Sequence, residues 1–177
     1  MKFFLKIIIF TLLNFSNTLF SQSKAVSLTL PTVALLDVEP PGVNINLNFA
    51  SPAEAGNPIA VPTPNNSKWL NYTSAISASG TARTVTASVS QTIPGILIRL
   101  SVANATGSGA GVLGVSSAQT AITLTTTPTT VITGIRGAYT GNGTGNGHQL
   151  TVSAVTGNYT NITASTTSVS VTYTISD

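Results

Sequence analysis

Apolar side chains at every second position are the feature that most narrows what this chain can fold into. Val43, Ile45, Leu47 and Phe49 alternate with Asn44, Asn46 and Asn48. Val85, Ala87 and Val89 alternate with Thr84, Thr86 and Ser88, and Val169, Val171, Tyr173 and Ile175 repeat the pattern near the C-terminus. A two-residue period gathers the apolar groups on one face of a pleated strand, whereas a helix needs a 3.6-residue period. The chain is also rich in Thr, Ser and Val, and its β-branched side chains, stiff at χ1, suit strands. No window carries a helical apolar stripe between caps.

The alternation predicts strands over Val26–Leu30, Val33–Val38, Val43–Phe49, Ser67–Ser77, Ala82–Gln91, Gly95–Ala103, Ala121–Thr126, Thr129–Ile135, Gln149–Thr156 and Ser168–Ser176. Turn chemistry separates them at Pro40–Gly42, Gly80, Pro94–Gly95, Gly107–Gly111 and Gly141–Gly147. Ala50–Pro64 holds four prolines and reads as an extended surface loop. Short strands at this spacing, roughly nine or ten of them, predict an all-β fold, a single antiparallel β-sandwich of immunoglobulin-like form.

Residues 1–21 read as a secretory signal peptide, leaving residues 22–177 as the sandwich domain. Lys2 and Lys6 form the positive start, Ile7–Leu13 the apolar stretch, and cleavage is expected after Ser21. Asn14 and Asn17 interrupt the apolar run, which falls short of the ~20 residues that span a bilayer. The expected location is therefore outside the cytoplasm: periplasm, outer cell surface or medium, with no membrane span once the signal is removed.

Without Lys2 and Lys6 the formal charge falls from +3 to +1. The remaining Lys24, Lys68, Arg83, Arg99 and Arg136 are scattered, so no patch can neutralise a run of phosphates and nucleic acid is not an expected partner. Five of the six phenylalanines lie in the signal segment, so the core must be built from Val, Ile, Leu and Ala. With no cysteine, disulfides and thiolate metal sites are excluded.

Residues that could carry chemistry are few. The one histidine, His148, sits beside a Gly/Asn-rich loop and reads as a solvated loop residue. A Ser–His–Asp set would have to draw on Asp37 or Glu39 from far along the chain, and no G-x-S-x-G elbow is present. Glu39 and Glu54 lie among prolines and do not read as a facing carboxylate pair. The Gly137–Gly147 run lacks the Lys-Ser/Thr of a phosphate loop and reads as a turn. No cofactor, metal or catalytic residue is expected, and the chain reads as non-enzymatic. Trp69 and Tyr72 are candidate glycan contacts. Three residues apart on a strand, they fall on opposite faces, so one is expected inside and the other outside.

Exposed strand edges in soluble β proteins usually carry charge, proline or bulges. The strands over Ala82–Gln91 and Ser168–Ser176 carry only Arg83 between them, which suits them to accept a strand from a neighbour.

The segments Leu30–Pro40, Asn66–Thr73, Gly137–Gly143 and Val171–Asp177 resemble those of small secreted all-β proteins of Bacteroidetes, a family with no assigned activity to carry over. More loosely, the chain is similar to β-sandwich pilins of the chaperone–usher type and to spore-coat-U-like proteins. That resemblance implies that Val169, Val171, Tyr173 and Ile175 pair with an assembly chaperone, and that Val26, Leu28 and Leu30 complete a neighbouring subunit. The chain departs from the pilin pattern in lacking a cysteine pair and in placing Tyr173 four residues before the end. The expected function is an exported structural or adhesive surface protein, a self-associating fibre subunit assembled by strand addition. The alternative is a monomeric secreted carbohydrate-binding module using Trp69 or Tyr72.

Overall fold

The computed structural model describes residues 21–177, so the signal segment expected over residues 1–21 lies, but for Ser21, outside the described residues. Nine strands form: β1 (Val33–Glu39), β2 (Asn65–Ala75), β3 (Arg83–Val89), β4 (Ile96–Val102), β5 (Ala110–Ser116), β6 (Ile122–Thr123), β7 (Thr129–Tyr139), β8 (His148–Thr156) and β9 (Val171–Ser176). The only helical element among the described residues is a 3₁₀ turn at Tyr159–Asn161. Every strand pairing is antiparallel. The fold is all-β and sandwich-like, as the period-two pattern predicts.

The strands form one sheet in the order β6-β4-β8-β2-β7-β3-β9, with β1 on β2 and β5 on β7. β2 is shared by two halves of this sheet. Its first part pairs with β8 through Asn65–Leu70, its last part passes to β7 at Thr73 and Ser74, and β1 runs along its other edge. The chain leaving β5 joins the halves again. The Ser117 N–H donates to the Val131 carbonyl of β7, and the Val102 N–H of β4 donates to the Ala118 carbonyl.

The enclosed core is aliphatic, as expected for a chain so short of aromatics. β2 supplies Leu70 and Tyr72, β3 Val85, Ala87 and Val89, β4 Leu100 and Val102, β7 Val131, Ile132 and Ile135, and β8 Leu150 and Val152. Val131 and Ile132 are adjacent yet both fully buried. The register between β3 and β7 slips here, and such a bulge turns two successive side chains the same way.

Three expectations are corrected. Val26–Leu30 and Val43–Phe49 are not strands: neither pairs with another segment, and a strand without a partner has no ladder to hold it. The predicted break at Gly107–Gly111 instead runs into β5. Gly111 and Gly114 take positive φ of 90° and 72° there, and a Cβ at either would strike the β7 backbone, so these glycines let β5 lie close against β7. Finally, β3 is not an edge. It lies between β7 and β9, which leaves β9 as one end of the sheet, with β6 at the other.

Leu70 is fully buried on the shared strand, and Leu35 of β1 is mostly exposed. Leu70→Ala should therefore cost about 2–5 kcal/mol through lost contacts and a residual cavity. Leu35→Ala should stay within about 0.5 kcal/mol. Urea unfolding of both variants reads the contrast.

Candidate functional site

The residues expected to take part in assembly fall into two different settings. Val26, Leu28 and Leu30 are 92%, 80% and 81% exposed, on an N-terminal arm with no secondary structure. Val169, Val171, Tyr173 and Ile175 are half-buried and pack against the core, while Thr172, Thr174 and Ser176 between them are exposed. β9 pairs with β3 over Val171–Ser176, from Val89↔Val171 to Thr84↔Ser176. Its other edge has no strand partner among the described residues, and the same holds for the outer edge of β1. Among the described residues β1 and β9 thus each keep an edge without a strand partner, as β5 and the terminal β6 also do, and the apolar arm is exposed.

Arg83 secures the closed end of β9. Its guanidinium is buried: Nε donates to the Asp177 carboxylate at 2.6 Å, and Nη1 donates to the Val33 carbonyl and to Ser74 Oγ. One side chain so ties β1, β2, β3 and the end of β9 together. This is the only ion pair among the described residues.

The two aromatic candidates separate as their spacing predicts. Tyr72 is 3% exposed and belongs to the core, so its role as a glycan contact is corrected: its ring face is covered. Trp69, on the opposite face, is half-exposed and stands in register with Glu39 of β1 on one side and Gln149 of β8 on the other.

The solvated-loop reading of His148 is also corrected. His148 is fully buried at the start of β8, its ring stacked on Tyr72 with centroids 5.7 Å apart. Nδ1 donates to the Ala103 carbonyl at 2.8 Å, and the single hydrogen of the Tyr72 hydroxyl is within reach of two acceptors, Nε2 at 3.0 Å and the Leu113 carbonyl. Burial pushes the imidazole below its ordinary pKa, against a smaller upward pull from the two carbonyls, and burial likewise pushes the Tyr72 hydroxyl up. Both ring nitrogens are engaged inside the sandwich. The group acts as a polar tie between β8, β2, β5 and the end of β4. Its signal in the sequence was the alternation His148, Leu150, Val152 and Ala154, which puts the histidine on the buried face.

The glycine-rich segment after β7 is a tightly bonded turn. Asn146 Oδ1 accepts from the backbone N–H and hydroxyl of Ser108, Nδ2 donates to the Asn142 carbonyl at 2.8 Å, and the Asn146 carbonyl accepts from Asn71 Nδ2 at 2.7 Å. A cleft of about 230 Å³ opens beside Ile93, Ile96, Leu97, Leu124 and Asn158, with no charged side chain in its lining. Glu39 and Glu54 lie on β1 and in the Pro-rich loop. Among the described residues, no helix is long and apolar enough to cross a membrane.

No family model, curated protein or solved structure matches the chain.

His148 is the only histidine, so the protein offers a clean pH test. Its folded pKa lies below its unfolded value of about 6.5, so the unfolded chain binds the proton more readily. Stability should be full above that pH and fall as pH drops below it. The urea midpoint is expected to decline between about pH 7.5 and 5.5, and His148→Gln should flatten that slope whatever it does to stability at pH 7.5.

Proposed function

We propose that this protein is a non-enzymatic, exported structural subunit that associates with further copies of itself by strand addition, the arm Val26–Leu30 supplying the added strand. The observation that carries this reading is the exposure of Val26, Leu28 and Leu30, three aliphatic side chains at strand spacing with nothing packed over them. Large apolar groups left in a contiguous exposed segment mark an interaction surface. The period-two spacing specifies the form: only an extended strand brings all three to one face.

Magnitudes show why a sheet edge is the fitting receptor. Burying each aliphatic side chain contributes about 1.5–3 kcal/mol. Ordering each residue of the arm costs about 1–2 kcal/mol of backbone entropy. Over five residues these terms nearly cancel, so the net gain must come from main-chain hydrogen bonds to an open edge. The outer edges of β1 and β9 have no strand partner among the described residues, and β9 carries no charged side chain before Asp177.

Light scattering on the exported protein across a concentration series tests the proposal. The native chain should form dimers and longer assemblies. Leu28→Asp should remain monomeric with an unchanged urea midpoint, since Leu28 is exposed in the free chain. A native chain that stays monomeric throughout would overturn it.

A second reading, a carbohydrate-binding module, draws on the row Glu39–Trp69–Gln149, where an aromatic face is flanked by a carboxylate and an amide. On that reading a glycan array gives hits with the native chain that Trp69→Ala loses, and a blank array ends it.

A further inference from the structure

We infer that the place the arm of one copy takes in the next is the one now held by that chain's own Val43–Phe49. The inference rests on the self-association reading above, and it concerns where the added strand goes.

Val43–Phe49 occupies its position in an unusual way. Its exposure alternates, with Ile45, Leu47 and Phe49 half-buried and Asn44, Asn46 and Asn48 exposed, and Ile45 and Leu47 pack against the core. From Ile45 onward it therefore sits as a strand sits, side chains inward at every second residue, while Val43 ahead of them is exposed. Yet it joins no ladder, and residues 43–49 make no hydrogen bond among the described residues. Side-chain packing alone holds it between two anchors. On one side is the Pro40–Gly42 turn after β1. On the other, Ala50 and Ala60 exchange N–H···O bonds of 3.0 and 2.9 Å.

The arm repeats the apolar pattern of this segment. Val26, Leu28 and Leu30 align in sequence with Val43, Ile45 and Leu47, so Leu28 and Leu30 match in volume the two residues that pack on the core. Volume-conserving aliphatic exchanges are the ones a packed core tolerates best. The residues in between differ in the direction that favours the arm. Ser27 and Thr29 replace Asn44 and Asn46, and threonine is enriched in strands where asparagine is depleted.

The anchors explain why the resident segment forms no ladder while an incoming one can. Val43–Phe49 is fastened at both ends, so it cannot slide to bring its amides into register with an edge. An arm that enters from another molecule can settle at the register its side chains select. Leu36 and Val38 of β1 and Val171, Tyr173 and Ile175 of β9 pack on the same core cluster as Ile45 and Leu47, and each of these two strands has an edge without a strand partner among the described residues. Val43–Phe49 is thus a placeholder that covers the core of a free subunit and yields to the arm of the next.

The absence of cysteine makes the test direct, because an introduced thiol is the only one in the protein. Leu47→Cys, and separately Ile45→Cys, would be placed in the exported Leu28→Asp chain, which cannot use its own arm. A labelled peptide of residues 22–32 is then added, its binding followed by fluorescence anisotropy and the thiol by its rate of alkylation. We expect the native peptide to bind and to speed alkylation at both positions by roughly tenfold or more as their packing protection is lost. The same peptide with Leu28→Asp should do neither. Peptide binding with unchanged alkylation at both positions would overturn the placeholder inference while leaving strand addition at another edge. Failure of the peptide to bind, with the native chain still assembling, would overturn it also. A native chain that never assembles would remove the reading beneath it.

Discussion

The double pairing of β2 is the constraint on which the rest of the structure depends. Its N-terminal half hydrogen-bonds to β8 and its C-terminal half to β7, with β1 along the opposite edge. Because one strand belongs to both halves, they curve round a common interior instead of stacking as independent sheets. Lys68, Leu70, Tyr72 and Ser74 alternate along β2 and are all buried. Lys68 is accommodated by donating to the Pro40 carbonyl, and Tyr72 by its bonds to Leu113 and His148. In a core otherwise aliphatic, these polar groups are satisfied in place, and satisfied polar groups favour one arrangement over the alternatives that would strand them.

The polar ties and the unladdered segment fall on different stretches of the chain. The buried tie around His148 and the Arg83 clasp hold the closed parts of the sheet. The Arg83 clasp engages Val33 of β1 and Asp177 beyond β9, whereas Val43–Phe49 makes no hydrogen bond to either tie. On the proposed reading, Val43–Phe49, held only by side chains, can leave without breaking a ladder.

Much of the fold was legible because a two-residue period is a local property. β1, β2, β3, β4, β7, β8 and β9 all lie where the alternation places them, and the opposed faces of Trp69 and Tyr72 follow from their spacing. Where the reading failed, the deciding contact was distant. Gly111 and Gly114 look like turn residues until β7 lies against them, and then the missing Cβ is what permits a strand. His148 looks like part of a glycine-rich loop until Ala103 and Tyr72, remote in sequence, supply partners for its ring nitrogens. Val26, Leu28 and Leu30 were legible as a pattern, but not their exposure, nor that Val43–Phe49 with the same pattern packs on the core without a ladder.

The sequence by itself determined the strand class, the aliphatic character of the core and the side of each strand that faces it, because these follow from side-chain chemistry and a period of two. Tertiary structure alone decided which strands pair, which edges stay open and which alternating segments become strands at all. Val26–Leu30, Val43–Phe49 and Val171–Ser176 carry the same pattern, yet one is exposed, one packs without hydrogen bonds and one joins the sheet. The physical reason is that alternation specifies a face, whereas a strand also needs a neighbour's backbone, and that neighbour is supplied only by the folded chain.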